Sequence, residues 1–409
     1  MTPINSNEEE VVVKKNPIIK CFKKKKKQVK KFIFKVGGFM FSCFFSATTK
    51  INENQVLFLS DVRKDMGGNL GCVYDYIKDK GFDIIIEFKT ERRDTRSISH
   101  KIRLMKEIAT SRYILLDDYS DSIAQMYVRK NQDVVQLWHG PGAFKRIGYS
   151  RPDALGKRVL LKGHRNYTKA IQSSKEIEWI HVEGFGMEKF GEVKATGFPR
   201  TDCLFDEAYK KKVTEDFYKD YPEIKGKKII LFAPTYRGSS IPKAYYDFDL
   251  IDWDNLYETF KDDYVFIVKW HPGVYNNIVK EKIITPDWNK YKGFIYDMSS
   301  ARDLNDILIV CNTLITDYST SIFDYSILHK PVVYFVPDLD DYLDGRGLYV
   351  PFEKDVYGEV AKTYPELVEA IKSENMSEEL REEFYRYHMG ACDGHSTEKT
   401  CKWIFGDRV

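Results

Sequence analysis

Two histidines stand in settings that suit proton transfer beside a phosphate. His139 lies in "WHGPGAFKRIG", residues 138–148, directly after the aliphatic run "VVQL", and His271 lies in "KWHPG", residues 269–273, directly after "YVFIV". An imidazole with an ordinary pKa of about 6.5 can take a proton from an attacking hydroxyl at neutral pH. Gly140, Pro141 and Gly142 hold the backbone open after His139, and Lys145 and Arg146 follow. Arg237 in "APTYRG" and Lys269 beside His271 are cations that would complement a diphosphate. The stretch "LITDYSTSIFDY", Leu314 to Tyr325, crowds Asp317, Ser319, Thr320 and Ser321 between two apolar runs. Two readings of it are open. These side chains could cap a helix start, or the same unpaired N–H groups, with the helix dipole and the hydroxyls, could hold a phosphate. No HExxH or DxD pair stands out as a metal site; "DLDDY", Asp338 to Tyr342, could host a cation but reads first as a loop and helix cap.

Such groups need a scaffold that brings them together. From Gln55 onward, short aliphatic runs alternate with polar, helix-like spacers: "VLFLSD" (56–61), "DIIIEF" (83–88), "YILLDD" (113–118) and "VVQLWH" (134–139). Runs without polar alternation are expected of parallel strands covered by helices on both faces. The pattern pauses at the charged segment 207–228, which holds Pro222 and Gly226 near its end. It then resumes with "IILFAP" (229–234), "YVFIVKWHP" (264–272), "FIYDMS" (294–299), "LITDYS" (314–319) and "VVYFVP" (332–337). This predicts an α/β protein of two Rossmann-like domains, residues 51–206 and 229–390, joined by a linker at 207–228 and followed by a C-terminal helix at 391–409. Ligands in such sheets bind at the carboxyl ends of strands, where both histidines and the polar clusters fall. Neither GxGxxG nor GxxxxGK[ST] is present, which weakens dehydrogenase and P-loop readings.

A chain of 409 residues exceeds what one core usually supports, and 43% hydrophobic residues leave ample material for two. The net charge of +3 hides a local device, because "KCFKKKKKQVKKFIFK", Lys20 to Lys35, holds nine lysines and no acid. Removing those nine charges leaves about −6 on the rest, unlike a nucleic-acid protein, whose basic residues spread over the folded domains. The neighbouring aromatic segment, Phe32 to Ala47, is interrupted by Lys35, Gly37 and Gly38. It is shorter than the roughly 20 residues a spanning helix needs. Residues 1–50 therefore read as an interfacial segment, phenylalanines among headgroups and lysines on anionic lipid; a basic tail with no specific role is the competing reading. Seven cysteines without CxxC pairs argue against a disulfide framework or a zinc site and suit a reducing cytoplasm.

Taken in order, "QLWHGPGAFKRIG", "GFPRTD", "LFAPTYR", "LNDILIVCNTLITDYSTSIFDYSILHKPVVYF", "DLDDYLDGRGLY" and "DGHSTEKT" resemble the CDP-glycerol glycerophosphotransferase family of teichoic acid and capsule synthesis, from about Gln136 to Lys402. The resemblance implies a GT-B-like fold with two Rossmann-like domains facing across a cleft. It further implies a peripheral enzyme at the cytoplasmic face of the membrane. Such an enzyme moves an alditol phosphate, glycerol phosphate first, from a CDP-activated donor to a hydroxyl of a lipid-linked saccharide acceptor, releasing CMP. By motif, His139 resembles the family's WHG histidine, the general base, and His271 its second-domain histidine near the donor phosphates. Arg237, Lys269, Asp317, Ser319, Thr320 and Ser321 fall to the donor side, and Gly140, Lys145, Arg200 and Asp202 to the acceptor side. No cofactor is firmly implied, a divalent cation such as Mg²⁺ is compatible with the chemistry, and no nucleic acid is expected as partner. Thr201, where the family commonly reads Asn, and Pro141 and Gly142, where it commonly reads Thr and Pro, mark departures on the acceptor side. A GT-B glycosyltransferase using a nucleotide sugar is the alternative reading.

Overall fold

The computed structural model describes residues 36–89, 96–142, 144–152, 156–160, 164, 166–300, 303–352 and 355–409. The lysine run and Phe32 and Phe34 lie outside them. Residues 36–48 form helix α1. The first half then runs β1 (Asn52–Ser60), α2 (Gly68–Ile77), β2 (Asp83–Phe88), α3 (Ile98–Thr110), β3 (Ser111–Leu116), β4 (Asp133–Gln136), β5 (Lys169–Gln172), α4 (Glu178–Phe185) and β6 (Glu192–Ala195). Helix α5 (Glu207–Asp220) leads to the second half: β7 (Lys228–Phe232), α6 (Trp253–Phe260), β8 (Tyr264–Val268), α7 (Pro272–Val279), β9 (Ile295–Asp297), α8 (Leu304–Val310), β10 (Thr313–Thr316), α9 (Ser321–Ser326) and β11 (Val332–Phe335). After these come α10 (Leu339–Arg346), β12 (Glu359–Ala361), α11 (Tyr364–Ser373), α12 (Glu378–Met389) and α13 (Ser396–Phe405).

The strands form two parallel six-stranded sheets, ordered β2-β1-β3-β4-β5-β6 and β12-β11-β10-β7-β8-β9. Every aliphatic run expected to be a strand lies on one of them. Val56 to Leu59 on β1 are wholly buried, as the missing polar alternation required. The strand order also locates the ligand face. Chain direction across the second sheet reverses between β7 and β10, and across the first between β1 and β3, and ligands sit beyond the carboxyl ends of strands at such points. "APTYR" and "TDYST" leave the sheet at the first of these points, and Asp117 and Asp118 at the second.

The segment expected as a linker is mostly helix α5, capped by Asp206 and burying Val213 and Phe217 one turn apart. The run "ILIV" before Thr313 belongs to helix α8. The C-terminal helix packs on the first half, where Phe405 meets Phe82 and Tyr113 at ring distances of 5.0 and 4.8 Å. The halves are also laced directly. Lys145 bridges antiparallel to Leu348, Tyr349 N–H donates to Phe144 O, and Phe144 packs edge-on against Phe323 and Phe352.

Candidate active site

His139 lies three residues beyond β4 and His271 three beyond β8, each on the ligand face of its sheet. The His139 loop is set by its neighbour. Trp138 is a non-glycine residue in the left-handed region, φ 52°, with its N–H on Gln136 Oε1 at 2.9 Å. Such a backbone persists only where surroundings over-determine it. Here Asn69 Nδ2 supplies bonds to Leu137 O (2.9 Å) and Trp138 O (3.0 Å), and the buried indole stacks on His139 at 4.3 Å.

His139 is half-exposed, and its Nδ1 lies 3.4 Å from Asp118 Oδ2. Partial desolvation lowers its pKa, an effect opposed by the Asp118 and Asp117 carboxylates and by a hydrogen bond to the Asp117 backbone. The ring is therefore neutral at neutral pH and turned so that Nε2 is the atom available to take a proton. Asp118 was visible in the sequence only as the tail of a strand; a carboxylate pair at a strand's carboxyl end was the signal for it.

Across the interface, the position a Cβ of Gly140 would take is 3.5 Å from Thr320 Oγ1. Gly142, at φ +69°, donates its N–H to Ser173 Oγ, and a Cβ there would lie 2.4 Å from the Phe323 ring on α9. Only glycine allows the loop to approach the turn this closely. Thr320 is exposed and makes no side-chain cap bond, while Ser319 Oγ accepts from Ser321 N–H at 3.3 Å and from Ser321 Oγ at 3.0 Å. One hydroxyl thus supports the start of α9 and another stays open toward Gly140.

Asp317 is buried and fully used: it accepts from Thr235 N–H and Oγ1, Tyr318 N–H and Arg237 Nη1. Arg237 also pairs with Asp338 through Nη2 (2.9 Å) and Nε. Burial alone would lower its pKa, but Asp317 and Asp338 more than offset this and hold the guanidinium charged. Asp338, read in the sequence as part of a loop and cap, is thus the partner of Arg237. Arg237 lines a cavity of about 600 Å³ with Tyr236, Tyr245, Asp338, Tyr342 and, from the first half, Arg151.

His271 Nδ1 accepts the Gly273 N–H at 3.0 Å, which places the ring proton on Nε2 as a donor, and its ring packs on Tyr236 at 4.6 Å. Lys269 Nζ reaches Met298 O at 3.0 Å; burial lowers its pKa against the pull of Asp303 and Asp297. Lys145 lies over the Tyr342 ring.

Two residues expected on the acceptor side are engaged inside the protein. Asp202 caps α13, accepting from Ser396 and Thr397 N–H at 2.9 and 2.8 Å. Arg200 is half-buried, with Nη2 on Asp324 Oδ2 of α9 (2.6 Å) and Nη1 on Asn305. Both carry partners more than a hundred residues away, which spacing along the chain does not reveal. Among the described residues no group of three or more His, Cys, Asp or Glu is gathered as a metal site, and no helix is long and apolar enough to cross a membrane.

Two Rossmann-like parallel sheets, presenting a carboxylate-backed histidine opposite a hydroxyl-lined turn, define an α/β architecture. Residues 40–406 match the family model for CDP-glycerol:poly(glycerophosphate) glycerophosphotransferase, and the chain belongs to that family. It is 40% identical over 385 residues to the teichoic acid poly(ribitol-phosphate) polymerase of Bacillus spizizenii, covering 92% of this chain and 61% of that protein. It is 36% identical over 403 residues to the teichoic acid ribitol-phosphate polymerase TarL of Staphylococcus aureus, covering 96% and 70%. The chain thus spans about three fifths of the length of the first of these relatives. In structure it resembles the wall teichoic acid polymerase TagF, with a TM-score of 0.73 at 22% identity over 95% of this chain and 98% of that one.

Proposed function

We propose that this protein transfers an alditol phosphate from a CDP-activated donor to a hydroxyl of a lipid-linked acceptor in teichoic acid synthesis, releasing CMP. The observation that carries this reading is the approach of the His139 loop to the Ser319–Thr320 turn, with Gly140 against Thr320. His139 Nε2 takes the proton of the acceptor hydroxyl, whose oxygen attacks the phosphorus bonded to the alditol. The bond from that phosphorus to the bridging oxygen breaks, and CMP leaves. The donor diphosphate rests on the Ser319–Ser321 turn with His271 Nε2–H and the charge of Lys269 beside it. Positioning and charge neutralisation carry most of such a transfer. The two sheets then act as the halves of a GT-B-like enzyme facing across a cleft.

Ribitol replaces glycerol as the alditol to test first, because the two relatives at 36–40% identity are both named as ribitol-phosphate polymerases. A peripheral position at the cytoplasmic membrane face is supported by α1, which buries Ser42 and Ser46 while exposing Phe39, Met40, Phe41 and Phe44. Purified protein given CDP-ribitol, CDP-glycerol and nucleotide sugars, with and without lipid-linked acceptor, tests the reading. Acceptor-dependent CMP release with a phosphodiester product is expected; a glycosidic product, or no CMP from either CDP-alditol, overturns it.

A further inference from the structure

We propose that Asn69, Arg200 and Asp324 form a brace that sets the His139 loop against the Ser319–Thr320 turn, making them positioning residues for the transfer. The inference rests on the function proposed above for its kinetic readout, but on geometry for its substance. Asn69 lies in the first turn of α2, is 2% exposed and uses both its amide protons and its carbonyl oxygen in hydrogen bonds. Its amide donates to Leu137 O and Trp138 O, and its Oδ1 accepts the Arg200 N–H at 3.0 Å. From the same residue, the guanidinium runs to Asp324 Oδ2 at 2.6 Å, and Asp324 is 1% exposed on α9, the helix that begins right after Thr320. Three residues therefore connect the left-handed Trp138 to the Ser319–Thr320 turn without a gap. Gly140 faces Thr320 closely enough that a Cβ there would meet Oγ1 at 3.5 Å, which closes the loop.

A purely stabilising role fits these atoms poorly. Asp324 Oδ1 and Arg200 Nε are buried without a hydrogen-bond partner among the described residues. A buried pair left incompletely bonded is a weak source of stability, and apolar residues of similar volume commonly replace one without loss. The pair does, however, fix an orientation: a two-armed contact from Arg200 to α8 and α9 on one side and a backbone bond to Asn69 on the other. Asn69 holds the carbonyls of both Leu137 and Trp138, and its loss removes that restraint from the strained residue next to His139.

The test uses the full-length protein carrying Asn69→Ala, or Arg200→Met with Asp324→Leu, where the double change removes both charges together and keeps the fold. Turnover is measured as CMP release, stability as melting temperature, and loop position as the ring resonance of His139 in isotope-labelled protein, assigned by its loss in His139→Gln. Both variants are expected to lose about 10²-fold in kcat, the scale of an ångström-sized misplacement, with donor KM within about threefold of wild type. The double variant should keep the wild-type melting temperature, and Asn69→Ala should displace the His139 resonance. Wild-type turnover in the double variant overturns the brace, as does an unmoved His139 resonance in Asn69→Ala. Should wild type release no CMP from any donor, the proposed function fails by itself and the resonance alone decides the brace.

Discussion

Replacing Asp118 by Asn isolates the carboxylate that faces His139 while keeping its shape. The charges are 3.4 Å apart when the ring is protonated. At the water limit appropriate to a half-exposed ring, their attraction is about 332/(80 × 3.4), or about 1.2 kcal/mol. Divided by about 1.36 kcal/mol per unit, this is close to one pH unit. Asp118 raises the His139 pKa against the desolvation that lowers it, so removing the charge lowers it further. The sign follows: the base stays neutral to lower pH, and the acid limb of kcat/KM moves down by about one unit. The plateau should fall as well, since Asp118 also orients the ring. Inverting a histidine tautomer in a catalytic triad costs about 10⁴-fold. Here the Asp117 backbone still hydrogen-bonds the ring, so a loss of about tenfold is expected. The assay is CMP release across pH for wild type and Asp118→Asn, with melting curves to establish folding. An acid limb that stays in place or moves upward refutes the pairing.

His139→Ala should lower turnover by about 10²–10⁴-fold with donor affinity unchanged, measured by steady-state kinetics and calorimetry; near-normal turnover in a folded variant removes it as the base. Ser319→Ala with Thr320→Ala should raise the donor Kd, while the melting temperature falls only by what a lost cap costs, about 1 kcal/mol in folding. The opposite pattern would return the turn to a capping role. Changing Phe39, Met40, Phe41 and Phe44 to Ser should release the protein from anionic vesicles in co-sedimentation while sparing turnover on a soluble acceptor. Point changes serve better here than truncation after Ala47, because Ser42 Oγ and Ser46 O of α1 already hold Tyr127 N–H and Arg129. Undiminished sedimentation would assign the attachment to another surface.

What the sequence made legible follows from what each residue does alone. β1, β7 and β10 announce themselves because a strand covered on both faces must be a continuous aliphatic run. β5 and β6 did not, being four residues each, with Lys169, Glu192 and Lys194 among them at the side of the sheet. Helix α8 was open to misreading because its seven residues include an unbroken apolar run, and a short run of that kind has no period to distinguish helix from strand. The charged stretch at 207–228 hid α5, whose buried face is carried by Val213 and Phe217. In the site, the histidines were readable from their place after strands. The roles of Arg200, Asp202 and Asp317 were not, because the partners that define them, Asp324, the α13 backbone, and Thr235 and Arg237, are brought near only by the fold.

These long-range partners bear on how the two sheets can cooperate. In the proposed transfer, a base on one sheet and a donor-holding turn on the other gain nothing from proximity unless their separation is fixed, since effective molarity depends on holding reacting groups near their attack geometry. The chain fixes that separation at several independent points. Residues 144–147 are strapped to 347–349, Ser173 Oγ donates to His388 O of α12, and Asp202 receives the α13 backbone as it returns to the first half. Each tie joins segments beside the site rather than the reacting groups themselves, so His139 Nε2 and Thr320 Oγ1 stay available while their backbones are held. A closing motion would have to break backbone pairs, a buried ion pair and aromatic packing together. The arrangement therefore favours a site organised in advance, in which the donor and the acceptor hydroxyl meet groups already in place.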